Sequence, residues 1–121
     1  MKKILLAEHD AFLINVYTSQ LRKSGYSTSI AQNGEIAINR IKNINPDLLI
    51  LDAGLPKIDG FSVLKTLREE MGLKELKIIM LSDFNQEKEI KESSAFGIEK
   101  YFTKADNTAE EIVEEIKRIL S

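Results

Sequence analysis

Several apolar runs of the sequence end abruptly at side chains that can bind a cation or take part in phosphoryl chemistry. Two carboxylates and a carbonyl oxygen suit Mg²⁺, because this hard ion prefers oxygen ligands. A carboxylate beside such an ion can attack phosphorus and form an aspartyl phosphate, and a lysine and a hydroxyl can hold the phosphoryl oxygens. The side chains concerned are Glu8, His9 and Asp10 after the first run, Asp52 after the second, Ser82 after the third and Lys104 after the last.

The apolar runs themselves predict β-strands. Continuous apolar runs of this length are typical of strands that are buried on both faces of a parallel sheet. They comprise residues 4–7, 48–51 and 78–81, with a weaker run at residues 101–102. Ser27–Ala31 is a further, more polar candidate, and we expect it to lie at an edge of the sheet.

Between these runs, apolar residues recur at the spacing of an α-helix. Asn33 and Thr108 are predicted N-caps, and Glu111 completes a capping box with Thr108. Gly25 is predicted to end the first helix, and a more polar fourth helix is predicted over residues 85–96. The other apolar stripes are Leu13, Ile14, Tyr17 and Leu21; Ala37, Ile38 and Ile41; Phe61, Leu64 and Leu67; and Ile112, Val113, Ile116, Ile119 and Leu120.

The alternation of strand and helix predicts an α/β fold of five βα units, with a five-stranded parallel sheet between two layers of helices. Right-handed crossovers leave few topologies, and we expect the strand order 2-1-3-4-5 of a flavodoxin-like, three-layer sandwich. Sites in such sheets form beyond the carboxyl ends of the strands. In this order the first, third and fourth strands are neighbours and the fifth flanks the fourth, so the polar side chains should converge.

Composition restricts the class of protein. We expect one domain over residues 1–121, with no output domain after it. A net charge of −2, with both signs dispersed, argues against binding to nucleic acid or membranes through bulk charge. Cysteine is absent, which excludes disulfides and thiolate metal sites. With no signal peptide and no apolar stretch of roughly 20 residues, a cytoplasmic protein is expected.

The stretch LLILDAGLPKIDG, residues 48–60, carries a resemblance to a known family. With Asp52 at the strand end, Pro56 four residues later and Asp59-Gly60 three beyond, it resembles the phosphoacceptor loop of response regulator receiver domains. The resemblance covers nearly the whole chain and is to single-domain, chemotaxis-Y-like regulators of two-component systems. It implies a stand-alone phosphoacceptor, not an enzyme, that receives a phosphoryl group on Asp52 from a histidine kinase or a histidine phosphotransfer protein.

The resemblance also implies roles for the other side chains at the strand ends. Ser82 and Lys104 would bind the phosphoryl group on Asp52. Mg²⁺, or alternatively Mn²⁺, would be held by Glu8, Asp52 and the backbone carbonyl of Gly54.

A switch between two states is implied as well, with Ser82 and Tyr101 as the switch residues. Phosphorylation would change the face formed by the fourth helix, the fifth strand and the fifth helix, where an output protein would dock. The protein would be a monomer or a phosphorylation-dependent dimer. One of Tyr101 and Phe102 is expected in the core, and Ile98 and Phe102 are expected to add apolar area to the output face.

His9 departs from the family pattern, which has a second acid at this position. An imidazole is a poor ligand for Mg²⁺ and suits zinc, copper, nickel or iron. Three interpretations stay open: weaker Mg²⁺ binding with phosphorylation retained, a site adapted to Mn²⁺ or to a pH signal, and a site that no longer accepts phosphate.

Three neighbouring positions also bear on the site. Asp10 follows His9, and the geometry of the strand end is expected to aim its side chain elsewhere. Asp83 stands where the family has a small residue, so its carboxylate would modulate the site. Ala105 stands where the family has proline, and a trans peptide bond is expected there.

Other functions of the same fold class fit the sequence less well. A pseudo-receiver, which binds partners without phosphorylation, is the alternative that His9 and Asp83 favour. A haloacid-dehalogenase-type phosphatase requires a second aspartate two residues after Asp52, and Gly54 occupies that place. A flavin carrier requires a Ser/Thr/Gly-rich loop after the first strand, and EHDAF is not one.

Overall fold

A computed structural model describes residues 1–84 and 86–121 of the protein. Its strands pair in parallel in the order β2-β1-β3-β4-β5. The predicted α/β fold and strand order are therefore confirmed. The strands are β1 (Lys3–Ala7), β2 (Ser27–Ala31), β3 (Leu48–Asp52), β4 (Lys77–Ser82) and β5 (Lys100–Thr103), and the helices are α1 (Ala11–Lys23), α2 (Gly34–Ile44), α3 (Gly60–Lys65), α4 (Glu87–Ser94) and α5 (Ala109–Leu120).

The sheet lies between two apolar layers because successive side chains of a strand point to opposite faces. In β1, for example, Leu5 packs in the layer towards α2 and α3, whereas Ile4 and Leu6 pack in the layer towards α1 and α5. The central strands are buried on both faces, and β2 lies at an edge, as its polar sequence predicts.

The register of the central strands aligns their carboxyl ends. Ala7 of β1 pairs with Leu51 of β3, so Glu8 and Asp52 follow the same paired position. Asp52 in turn pairs with Leu81 of β4, the residue before Ser82. The sheet thus brings these three polar residues to one edge, as the topology predicts.

The predicted helix signals are present. Asn33 accepts a hydrogen bond from the Ile36 amide at 2.9 Å, and Thr108 and Glu111 form the predicted capping box of α5. Gly25 follows α1 with a φ of +90°, a conformation that glycine adopts without strain. The predicted fourth helix is present as α4, although residue 85, its predicted start, lies outside the described residues.

The third helix is not the single regular helix that the sequence predicts. After Lys65 it continues as a π-helical turn over Thr66–Glu70. Arg68 lies in this turn and is buried. Its guanidinium donates to the carbonyls of Phe96 at 2.7 Å and Gly97 at 3.1 Å, and also to that of Leu73. The turn therefore aims a cation at the carboxyl end of α4, which the apolar spacing of the sequence did not predict.

Phe102 also differs from one expectation. It is buried in the layer against α5 and so adds no apolar area to the output face, whereas Tyr101 is only partly buried. The alternation of side chains along β5 explains this, since neighbouring residues must face opposite sides of the sheet. Within the described ranges, no helix has both the length and the apolarity needed to cross a bilayer.

Candidate functional site

The carboxyl edge of the sheet holds a buried ionic cluster of Glu8, Asp52 and Lys104. Both carboxylates are inaccessible to solvent, and 9% of the Lys104 side chain is exposed. Lys104 Nζ lies 2.8 Å from Glu8 Oε1 and 3.2 Å from Asp52 Oδ1. A buried charge requires such a partner, because desolvation of an isolated ion is strongly unfavourable.

His9 faces the other oxygen of the aspartate. Its Nδ1 lies 2.9 Å from Asp52 Oδ2 and 3.5 Å from Glu8 Oε2. Glu8 Oε2 accepts the amides of His9 at 2.9 Å and Asp10 at 3.2 Å. Asp52 is therefore held between an ammonium on one side and an imidazole on the other.

The electrostatics of the cluster follow from burial and from these contacts. Burial raises the pKa of Glu8 above its ordinary value; the hydrogen bond from Lys104 opposes this effect and the charge of Asp52 reinforces it. Burial alone would lower the pKa of Lys104, but its hydrogen bonds to Glu8 and Asp52 and their charges outweigh burial, so the pKa is raised. The lysine thus stays protonated between two carboxylates that compete for it.

The loop after β3 is shaped around Asp52 by two glycines. The Gly54 amide donates to Asp52 Oδ1 at 3.1 Å. A Cβ on Gly60 would lie 2.3 Å from the Asp52 carbonyl oxygen, which is too close for any other residue. Asp59 accepts a hydrogen bond from the Ser62 amide at 3.0 Å and so caps α3. The Asp-Gly pair of the motif therefore closes the loop and starts the helix.

Ser82 and Tyr101 form a second group, linked through the backbone of Phe84. The Phe84 amide donates to Ser82 Oγ at 3.1 Å, and the Tyr101 hydroxyl donates to the Phe84 carbonyl at 3.2 Å. Ser82 is buried, whereas the Phe84 side chain is 64% exposed. A displacement of Ser82 would therefore be transmitted to Tyr101 through the backbone of a single residue, Phe84.

The remaining predicted residues lie outside the ionic cluster. Asp10 turns away and caps α1, accepting the amides of Phe12 at 2.9 Å and Leu13 at 3.1 Å. Asp83 is exposed beside Ser82. The described residues have no cis peptide bond, so the bond before Ala105 is trans, as the absence of proline predicts.

The cluster offers donors for a divalent cation. One ligand atom each from Glu8, His9 and Asp52 lies within 4.8 Å of the others. The two carboxylates fit Mg²⁺ or Mn²⁺, whereas the imidazole nitrogen fits Mn²⁺ or Zn²⁺ better than Mg²⁺. The donor set is thus mixed.

Comparison with known proteins agrees with the geometry of this site. The family model for the response regulator receiver domain matches residues 4–117. The chain belongs to the response regulator receiver domain family. The PhoP regulator of alkaline phosphatase synthesis from Bacillus subtilis (strain 168) is 33% identical over 103 residues, which are 85% of this chain and 42% of that protein.

Solved structures of response regulators share the fold. A putative response regulator from Chloroflexus aurantiacus J-10-fl is 30% identical, with a TM-score of 0.87 over 98% of this chain and 97% of that one. The Mn²⁺-bound form of response regulator Rcp1 is 27% identical, with a TM-score of 0.80 over 88% of this receiver domain and 84% of that chain. The receiver domain spans less than half the length of the curated relatives it matches.

Proposed function

We propose that the receiver domain accepts a phosphoryl group on Asp52 from the phosphohistidine of a histidine kinase or a histidine phosphotransfer protein. The observation that carries this proposal is the placement of the Asp52 carboxylate, which is buried at the end of β3 with Oδ1 3.2 Å from Lys104 Nζ. An oxygen of Asp52 attacks phosphorus, the phosphorus–nitrogen bond breaks, and the imidazole of the donor leaves with the electron pair. Lys104 remains beside the oxygens on which charge accumulates.

A divalent cation, Mg²⁺ or Mn²⁺, belongs to the same proposal. Asp52, Glu8 and the backbone carbonyl of Gly54 would hold it, with Glu8 acting through water because its Oε2 already accepts two backbone amides. The ion would offset the negative charge of the phosphoryl group as it approaches two buried carboxylates.

Signal output is proposed to pass from Ser82 to Tyr101. If Ser82 moves so that its Oγ donates to a phosphoryl oxygen, the Phe84 amide that donates to this Oγ would have to follow or lose its bond, and the Phe84 carbonyl is the acceptor of the Tyr101 hydroxyl. The face formed by α4, β5 and α5 would then differ between two states. An output protein would read this difference, with the receiver domain as a monomer or a phosphorylation-dependent dimer in the cytoplasm.

Phosphorylation with acetyl phosphate, followed by intact-mass measurement, tests the proposal. With Mg²⁺ or Mn²⁺ the wild-type protein should gain one phosphoryl group, and Asp52→Asn should gain none. Asp59→Asn is the matched control, since it removes a nearby exposed carboxylate and keeps a side chain that can cap α3. An adduct that persists in Asp52→Asn would refute the assignment of the acceptor.

A pseudo-receiver is the second candidate, favoured by the contact between His9 Nδ1 and Asp52 Oδ2. In this role the imidazole would occupy the acceptor permanently, and partners would bind without phosphorylation. Absence of any adduct with either metal, in a protein that is folded, would favour this role.

A further inference from the structure

The two buried carboxylates divide their oxygens between two sides of the pocket. Glu8 Oε1 and Asp52 Oδ1 face the Lys104 ammonium at 2.8 and 3.2 Å. A second cation on that side would be repelled by the lysine. Asp52 Oδ2 faces away from Lys104 and towards His9, so the His9 side is where a metal ion would meet the Asp52 carboxylate.

On the His9 side, Glu8 is poorly placed to bind an ion directly. Its Oε2 accepts two backbone amides, from His9 at 2.9 Å and Asp10 at 3.2 Å, which use its two lone pairs. Within the cluster found among the described residues, the side-chain donors that remain are Asp52 Oδ2 and His9 Nδ1, 2.9 Å apart. Ligand atoms about 2.0–2.2 Å from one ion and at right angles to each other lie about 3 Å apart. The separation of the pair, which is that of a hydrogen bond, therefore also fits two neighbouring ligands of one ion.

We propose that His9 is a direct ligand of the cation in this pocket and that it makes the site selective for a first-row transition-metal ion over Mg²⁺. The inference rests on the proposed function, because the ion is the one that serves the phosphoacceptor. One of the two available side-chain ligands is a nitrogen, and imidazole binds Mn²⁺ and Zn²⁺ in preference to Mg²⁺. The His9 side chain is 42% exposed, so an ion can reach the pair from solvent.

The opposing account uses the same contact without a metal. His9 Nδ1 would donate a hydrogen bond to Asp52 Oδ2, and the imidazole would occupy the place of the ion and exclude cations of every kind. The two accounts make opposite predictions for a metal titration. If His9 is a ligand, it increases the affinity for transition metals, and if it occupies the place of the ion, it decreases that affinity.

The decisive experiment is nitrogen NMR on ¹⁵N-labelled protein without a polyhistidine tag, titrated with Zn²⁺ and separately with Mg²⁺ at one fixed neutral pH. His9 is the only histidine of the chain, so its ring signals need no assignment. Zn²⁺ should shift the Nδ1 signal to saturation at one equivalent, and Mg²⁺ at the same concentration should leave it unmoved. A ring signal that Zn²⁺ does not move would overturn the proposal.

Competition titrations with Zn²⁺, Mn²⁺ and Mg²⁺ give the matched comparison. His9→Asp should bind Mg²⁺ more tightly and Zn²⁺ more weakly, so the preference for Zn²⁺ over Mg²⁺ should fall at least about tenfold. His9→Gln should lose Zn²⁺ affinity without gaining Mg²⁺ affinity. Equal preferences in wild type and His9→Asp would contradict the proposal.

The proposed function is tested separately by acetyl phosphate at saturating Mg²⁺. If Asp52 is phosphorylated there but His9 does not bind Zn²⁺, this inference fails and the phosphoacceptor role stands. If neither occurs, both fail.

Discussion

Helix α4 and the pocket that contains Glu8, Asp52 and Lys104 are attached to the fold in different ways. The pocket lies at the end of central strands, and its ionic side chains are buried against one another. In α4, Ser93 is the one buried residue, and its hydroxyl bonds to carbonyls of the same helix at Glu89 and Ile90. At its carboxyl end, the following turn is held by Arg68 through Phe96 and Gly97.

From this difference we expect the pocket to be rigid and α4 to be more mobile. Few apolar contacts give a segment low local stability, so α4 can shift without unfolding the core. The ionic pocket cannot rearrange without exposing or unpairing a charge. A chemical change in the pocket would therefore be relieved more easily by movement of α4 than by rearrangement of the buried charges.

Removal of the buried Lys104 ammonium should have the largest effect on stability. Lys104→Met leaves Glu8 and Asp52 buried without their ammonium partner, so it should lower the free energy of unfolding by about 3 kcal/mol. Urea unfolding in the presence of a chelator measures this change. Lys100→Met, at an exposed position of β5, is the control and should change stability little. Equal effects of the two substitutions would contradict the account of the pocket.

Arg68 provides the complementary test, on the α4 side. Arg68→Ala leaves the carbonyls of Leu73, Phe96 and Gly97 without their donor, and we expect a loss of about 2 kcal/mol. Hydrogen exchange should show the loss of protection concentrated in α4, with the pocket less affected. Arg22→Ala, on the exposed side of α1, is the control. Uniform loss of protection across the sheet would show that α4 is not a separable unit.

A smaller effect, of opposite sign, is expected for Glu8. Glu8, Asp52 and Lys104 together carry one more negative charge than positive, so Glu8→Gln should stabilise the metal-free protein at neutral pH by about 1 kcal/mol. Glu70→Gln, at an exposed position, should not. Denaturant unfolding with a chelator present compares the two variants.

The stabilisation by Glu8→Gln should also depend on pH. Because the pKa of Glu8 is raised in the fold, the folded state binds this proton more tightly than the unfolded chain. Its contribution to stability is fully present below the ordinary glutamate pKa and is lost as the pH rises through the raised pKa. The advantage of Glu8→Gln should therefore be small in acid and grow across that interval, and an advantage that grows towards acid would contradict the assigned direction.

Much of the fold and the meeting of the strand-end residues follow from the sequence by simple rules. Buried strands have continuous apolar runs, and the strand order then determines which ends are neighbours. Glu8, Asp52 and Lys104 could be brought together in this way without any knowledge of side-chain conformation. The roles assigned to them come from the resemblance and stay predictions.

Features that depend on side-chain direction could not be predicted in the same way. The spacing of Phe61, Leu64 and Leu67 fits a regular helix, and the π-helical turn is recognised only from the carbonyls that Arg68 reaches, up to 29 residues away. The geometry of the strand end predicts that Asp10 points elsewhere, but it does not reveal that Asp10 caps α1 or that His9 turns to Asp52. The prediction that Phe102 adds apolar area to the output face was wrong. The side of the sheet to which a residue of β5 points could not be known before the register of that strand.

If Asp52 is the phosphoacceptor, filling its pocket should change the face formed by α4, β5 and α5. Amide NMR with and without beryllium fluoride, a mimic of the phosphoryl group, measures this change in the presence of Mg²⁺ or Mn²⁺. We predict saturable shifts both around Asp52 and Ser82 and in α4 and β5, all absent in Asp52→Asn. A spectrum of the folded protein that does not respond with either metal would contradict the account.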